Sequence, residues 1–321
     1  MDAVAWRRGR FLLVLLAVAA IAVGACTSGG GGTSSEAPAS EAPASEAPMS
    51  EAPMSEAPAS EAPASPIAGG LLDKVMTAGK IIMSTDPQYP PQSELTAEGN
   101  YEGFDIDVGT EIAKRLGVEI AFETPSWDVI TAGSWAGRWD FSVGSMTITS
   151  PRQEVLDFSD PYYYTPAQMA ARTDSGITTL DGLAGKVVCV GAATTYLDWL
   201  NGTLDFGTES PQTTPPEGVT ATTLDTDRLC AEAWRAGRTD FDGWLSSSTT
   251  VQAAIDDGLP VVAVGDPVYF EPLAVAFDKG APLDTASLFE EVSAIIEEMH
   301  DDGTLTDLSM KWYGEDLTQE A

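Results

Sequence analysis

The 321-residue chain is poor in positive charge: 16 Lys and Arg stand against 49 Asp and Glu, for a net charge of −33. A surface of that sign repels nucleic acid and anionic membrane, and no basic run offsets it, so nucleic-acid binding is not expected. Histidine occurs once, as His300 in Glu297-Glu298-Met299-His300-Asp301-Asp302, which reads as a solvated helix end. No metal-ligand cluster, Gly-x-Ser-x-Gly elbow or phosphate loop is present, so the sequence calls for neither a cofactor nor a common hydrolytic site. The apolar run over residues 11–23 falls short of the about 20 residues that a membrane-spanning helix needs.

That run follows Arg7, Arg8 and Arg10 and leads into Gly24-Ala25-Cys26, the positive, apolar and small-residue layout of a secretory signal. A short membrane anchor helix is the alternative reading. Val23-Gly24-Ala25-Cys26 resembles a bacterial lipobox, which implies a signal over 1–25 and a lipid on Cys26. Gly29 to Gly32 and six Glu-Ala-Pro-(Ala/Met)-Ser pentapeptides then fill the stretch to Pro66. Proline at every fifth position forbids a helix, and the lack of bulky apolar groups forbids a core. Residues 26–66 are therefore expected to be a disordered, semi-extended tether, with a partner-binding motif as the alternative.

From residue 67 the pattern changes. Helices are predicted over 71–78, 104–116, from about 196, and over 227–236. Strands are predicted over 80–84, 118–122, 186–190, 219–223 and 239–244. Alternating strands and helices argue for an α/β fold with largely parallel sheets.

Four stretches then carry a resemblance. Gly103-Phe104-Asp105-Ile106-Asp107-Val108, Glu111-Ile112-Ala113, Asp157-Phe158-Ser159-Asp160-Pro161-Tyr162-Tyr163 and Lys311-Trp312-Tyr313-Gly314 resemble solute-binding protein family 3, in the family's order. These are the extracytoplasmic receptors of amino-acid ABC importers. The resemblance implies a two-lobed type II periplasmic-binding-protein fold with two hinge crossings, near 161–166 and 268–273. Lobe 1 would comprise 67–162 plus 271–315, and lobe 2 would comprise 165–267. Such a layout permits closure around a ligand.

The same resemblance places ligand contacts. In the "SMTITSPR" stretch, Gly144 and Ser145 let backbone approach the ligand, Thr147 supplies a hydroxyl and Arg152 a bidentate guanidinium to an α-carboxylate. Arg152 has a structural alternative, pairing with Glu154 or Asp157. On lobe 2, Thr194 and Thr195 complete the carboxylate clamp, although a threonine before a helix also serves as a cap. Asp86, Tyr89 and Trp127 match the positions that read the side chain. Trp135, Trp139, Tyr162, Tyr163 and Tyr164 read as core and hinge packing. At the position expected to hold an Asp for the α-ammonium, the sequence has Leu245. Asp242, Asp86 or a nearby serine is left to replace it, or the ligand is not an ordinary α-amino acid.

Cys189 and Cys230 form an even pair once Cys26 is set aside, on a strand and a helix expected to meet across one sheet face. Outside the cytoplasm that favours a disulfide, with two free thiols as the alternative. The reading is a monomeric, membrane-tethered receptor that takes a small carboxylated solute and passes it to an ABC permease. A dehydratase-like enzyme using Asp86 or Asp242, or a sensory ligand-binding protein, is the alternative.

Overall fold

In a computed structural model of the chain, residues 66–207 and 212–320 are described. The signal, lipid and tether readings for residues 1–65 lie outside the described residues.

The first lobe opens with α1 (Leu71–Ala78), which buries Leu71, Leu72 and Val75 and stops at Gly79, left-handed at φ 65°. Strand β1 (Lys80–Ser84) leads to a small antiparallel sheet of β2 (Gln88–Tyr89), β3 (Ser93–Leu95) and β4 (Tyr101–Glu102). Helix α2 (Phe104–Leu116) turns Phe104, Val108, Ile112 and Leu116 inward and ends at Gly117. Then come β5 (Glu119–Glu123), α3 (Trp127–Thr131), β6 (Phe141–Thr147) and α4 (Ser150–Gln153). Strands β5 and β6 flank β1 in parallel. Every residue of β6 is buried, as expected of a parallel strand covered on both faces.

The 17-residue strand β7 (Leu156–Arg172) crosses to the second lobe. That lobe holds β8 (Val187–Gly191), α5 (Thr195–Leu200), β9 (Thr220–Leu224), α6 (Arg228–Arg235), β10 (Gly243–Ser247), α7 (Ser248–Asp256) and β11 (Val261–Ala263). Strand β12 (Tyr269–Asp278) returns antiparallel to β7, with Thr165 opposite Glu271, and α8 (Ala286–Asp301) and α9 (Thr304–Tyr313) pack on the first lobe. The order across the large sheet is β5-β1-β6-β12-β7-β10-β8-β9, with β11 on β7. The chain thus has the mixed α/β, two-lobed fold, with β7 and β12 as its paired crossings.

Each lobe has its own core. In the first, Ile81, Met83, Phe104, Phe141, Tyr162, Tyr163, Phe277 and Ile296 pack together. Trp135 and Trp139, with ring centroids 5.4 Å apart, fill a second cluster with Met146 and Leu156, in keeping with their reading as core. In the second lobe the two-residue period of β10 splits its side chains. Leu245 joins Met169, Val190, Trp199 and Tyr269, while Trp244 joins Cys189, Trp234 and Val251 on the other face. On that face a disulfide links Cys189 on β8 to Cys230 on α6, so the free-thiol alternative does not hold.

Two of the stretches that carry the resemblance meet: Lys311 Nζ and Trp312 Nε1 both donate to Asp107 Oδ2, each at 2.6 Å. His300 departs from expectation. Its Nε2 lies 2.9 Å from the Pro161 carbonyl oxygen, tying the end of α8 to crossing strand β7 rather than facing solvent alone.

Candidate functional site

The carboxyl ends of β1 and β6 face those of β8 and β9 across a cleft. In open α/β sheets the crevice outside those strand ends is where ligands bind, because loops and helix starts converge there. Of the predicted residues, Asp86, Tyr89, Trp127, Gly144, Ser145, Thr147, Arg152, Thr194 and Thr195 all line this cleft, and Asp242 does not.

Arg152 is the cleft's one cationic side chain among the described residues, and only 8% of it is exposed. It sits on α4, where the Thr149 side chain accepts from the Arg152 N–H at 3.4 Å. Its Nη1 donates to the Thr147 carbonyl at 3.0 Å, and its Nη2 reaches the opposite lobe to donate to the Ala193 carbonyl at 3.1 Å. Ala193 adopts φ 59°, a left-handed conformation uncommon outside glycine. The guanidinium also lies over Trp127, 5.7 Å from the ring centroid. Burial pulls the arginine's pKa down, and Glu271 and Asp198 oppose that. The structural alternative is not seen: Asp157 pairs with Lys279 at 3.3 Å instead. Since a guanidinium carries five N–H donors, three remain for a ligand.

Opposite this charge stands Glu271, on crossing strand β12 and 1% exposed. Thr147 Oγ1 donates to it at 2.8 Å and Tyr196 OH at 2.9 Å, and Thr195 Oγ1 donates to it as well. Burial raises its pKa, against those hydroxyls and Arg152. A hydroxyl has one proton to give. The Thr147 and Thr195 hydroxyls, expected on a ligand carboxylate, are therefore committed to Glu271. Thr194 differs as well: its Oγ1 donates to the Gly191 carbonyl at 2.9 Å and accepts from the Leu197 N–H at 3.3 Å, which makes it a helix cap.

Two more acids face the cleft, Asp227 buried and Asp86 half-buried. Asp227 precedes α6, is 5% exposed, and accepts from the Gly191 N–H; burial raises its pKa well above the ordinary range, with Asp86 and Glu271 adding to the rise. Burial pushes Asp86 up to about 6 although its Oδ1 accepts from the Gln88 N–H. Asp225 lies at the exposed rim. Beneath the floor, Ser145 at φ 54° donates its hydroxyl to Asp105 at 2.8 Å, and Tyr162 donates to the same carboxylate at 2.7 Å. Burial takes Asp105 up to about 7.

Asp242 lies at the other end of its strand, half exposed and 3.6 Å from Lys186 Nζ. The strand begins at Gly243 and ends at Ser247, later than the sequence suggested. Leu245 is consequently mid-strand and packs in the core, and Ser247 accepts from the Thr250 N–H as the cap of α7. Neither Asp242 nor Ser247 replaces the missing acid at the cleft, and of the two acids named for a dehydratase reading only Asp86 lines it. Sequence reasoning missed Asp227, Tyr196 and Glu271. A glutamate inside the otherwise apolar Val268-Tyr269-Phe270-Glu271-Pro272-Leu273 was the available signal.

Residues 81–315 match the model of the bacterial extracellular solute-binding proteins, family 3. The chain belongs to that family. The L-cystine-binding protein TcyJ of Escherichia coli (strain K12) is 31% identical over 254 residues, covering 78% of this chain and 88% of TcyJ. The lysine/arginine/ornithine-binding periplasmic protein of the same strain is 27% identical over 240 residues, covering 72% of this chain and 86% of that protein. Among solved structures, the ancestral amino acid-binding protein AncCDT-1, a precursor of cyclohexadienyl dehydratase, has a TM-score of 0.64 and 29% identity, covering 75% of this chain and 99% of that one. As a family 3 member the chain is a solute-binding protein, and among the described residues no helix is long and apolar enough to cross a membrane.

Proposed function

We propose that this family 3 protein is the extracytoplasmic receptor of an ABC importer and that its cleft takes an α-amino acid carrying a second cationic group. One observation carries the ligand class: a single guanidinium, Arg152, faces three carboxylates, the buried Asp227 and Glu271 and the half-buried Asp86. A ligand carboxylate on the free N–H donors of Arg152 still leaves the cleft negative. Two ligand cations offset most of that charge, and burial makes the offset count more than it does in water. The names of TcyJ and of the lysine/arginine/ornithine-binding protein support the reading, since cystine and the dibasic amino acids each carry two cationic groups. Asp227 and Glu271 then do the work expected of an acid at position 245. The lobes close about β7 and β12, and the loaded protein docks on a permease as a monomer held to the membrane by a lipid on Cys26. Solute is passed on unchanged, with no catalysis.

A thermal-shift screen of the full chain tests the ligand class, because a ligand of the native state raises the melting point by mass action. L-arginine, L-lysine or L-cystine should stabilise it more than L-glutamine at equal concentration. Stabilisation only by compounds without an α-ammonium refutes the proposal.

A further inference from the structure

Outside the cleft, one buried polar side chain spans the two lobes and takes no part in the site described above. Gln92 belongs to the first lobe, is fully buried, and follows the Pro90-Pro91 pair. Its main chain is held firmly: the Gln92 carbonyl accepts from the Asp105 N–H at 2.9 Å, at the start of α2. A Cβ at Gly103 would come within 2.2 Å of that carbonyl oxygen, so the close fit needs glycine there.

The side chain reaches the start of α7 in the second lobe. Its Nε2 donates to Ser247 Oγ at 3.0 Å and to Thr249 Oγ1 at 2.6 Å. Ser247 Oγ donates to Thr250 Oγ1 at 3.0 Å, and Thr250 Oγ1 donates back to Gln92 Oε1 at 3.2 Å. The donors run one way round a closed ring, with each acceptor used in turn. Ser247 and Thr250 are fully buried and Thr249 is 7% exposed. Next to it, Tyr89 OH and Tyr196 OH meet across the lobes at 3.0 Å.

We propose that Gln92 is a positioning residue for the closed form, a latch that sets affinity without touching the ligand. Parting the lobes breaks all three of its bonds at once, whereas no ligand can compete for them. In a receptor that binds by closing, apparent affinity scales with the population of the competent form. The latch therefore strengthens binding of every ligand by the same factor, acts on dissociation, and leaves selectivity to the cleft acids. This rests on the proposed closure about β7 and β12, though not on the identity of the ligand.

The test uses the full chain with Gln92→Ala, with Thr249→Val on the opposite lobe, and with both. Affinity and dissociation rate are read with L-arginine and L-lysine, and amide exchange over residues 248–252 is read with no ligand. Either single variant should raise Kd roughly tenfold through faster dissociation. The L-arginine to L-lysine ratio should not change, the double variant should be no weaker than the worse single, and exchange at the start of α7 should quicken. If Gln92→Ala does not fold, Thr249→Val carries the same comparison. Kd and exchange both within twofold of the parent, single effects that simply multiply, or a changed ligand ratio overturns the latch. If neither amino acid binds the parent protein, the ligand reading is what has failed, and exchange alone decides the latch: quickened supports it, unchanged overturns it.

Discussion

Arg152 concentrates the chemistry of the site, because its guanidinium hydrogen-bonds two carbonyls, one from each lobe, and is in direct contact with no carboxylate, Glu271 and Asp198 acting on it from a distance. Removing it should weaken amino-acid binding by about a hundredfold or more, as expected for a lost charge-assisted bidentate contact. The melting point of the ligand-free protein should move by only a few degrees; a collapse there would assign Arg152 a structural role instead. Gly191→Ala makes a complementary prediction. A Cβ there would come 2.7 Å from Asp227 Oδ1, so the carboxylate must shift, and calorimetry should show weaker binding with Arg152 intact.

The residues explain what could be read in advance. Arg152 and Trp127 were legible because a guanidinium and a ring announce their chemistry and the flanking motif locates them. Thr147 and Thr195 were legible as positions but not as contacts, since nothing in a linear sequence brings Glu271 against them from more than 70 residues away. Asp227 was hidden by its place: an acid before a helix reads first as a cap.

At the level of elements, α2 was readable to the residue because an i, i+4 apolar row ends at a left-handed glycine. Strand β10 was not. Phe241 and Trp244 are both buried in one cluster, so the apolar pattern runs on from loop to strand without a break. The four-residue displacement of the strand start moved Leu245 from the expected strand end into the core, and with it the supposed absence of an acid. The disulfide joins β8 to α6, just before Gly191 and just after Asp227, and closes a loop of 41 residues. In the chain-entropy account its loss contributes about 4 kcal/mol of destabilisation. Cys189→Ala with Cys230→Ala should lower the urea midpoint accordingly, and an unchanged midpoint would show that the bridge does not constrain the unfolded chain in this way.

For the whole molecule, pH separates stability from binding. Asp105 has a folded pKa of about 7, raised by burial, against roughly 3.9 in an unfolded chain. The folded state holds the extra proton between those values. Its stabilising share is therefore complete below about pH 4 and is lost as pH rises toward 7. Asp302 works the other way: Thr304, then Arg115, hold it at about 2, so its share is lost only as pH falls from about 4 toward 2. Urea midpoints should accordingly be higher at pH 5 than at pH 7.5, and Asp105→Asn should flatten that difference. Binding should run in the opposite sense. A cationic ligand needs Asp86 ionised, and with its pKa at about 6 affinity should fall by up to about tenfold per pH unit below that value. An affinity that rises toward acid would remove Asp86 from the cation site.

In the proposed complex two ligand cations meet Asp86, Asp227 and Glu271 while a carboxylate meets Arg152. Calorimetric titration of the full chain with L-arginine, beside its deaminated and its decarboxylated analogues, tests that directly. L-arginine should bind, and removing either the α-ammonium or the carboxylate should weaken binding by about a hundredfold or more. Equal or tighter binding of the deaminated analogue would contradict it.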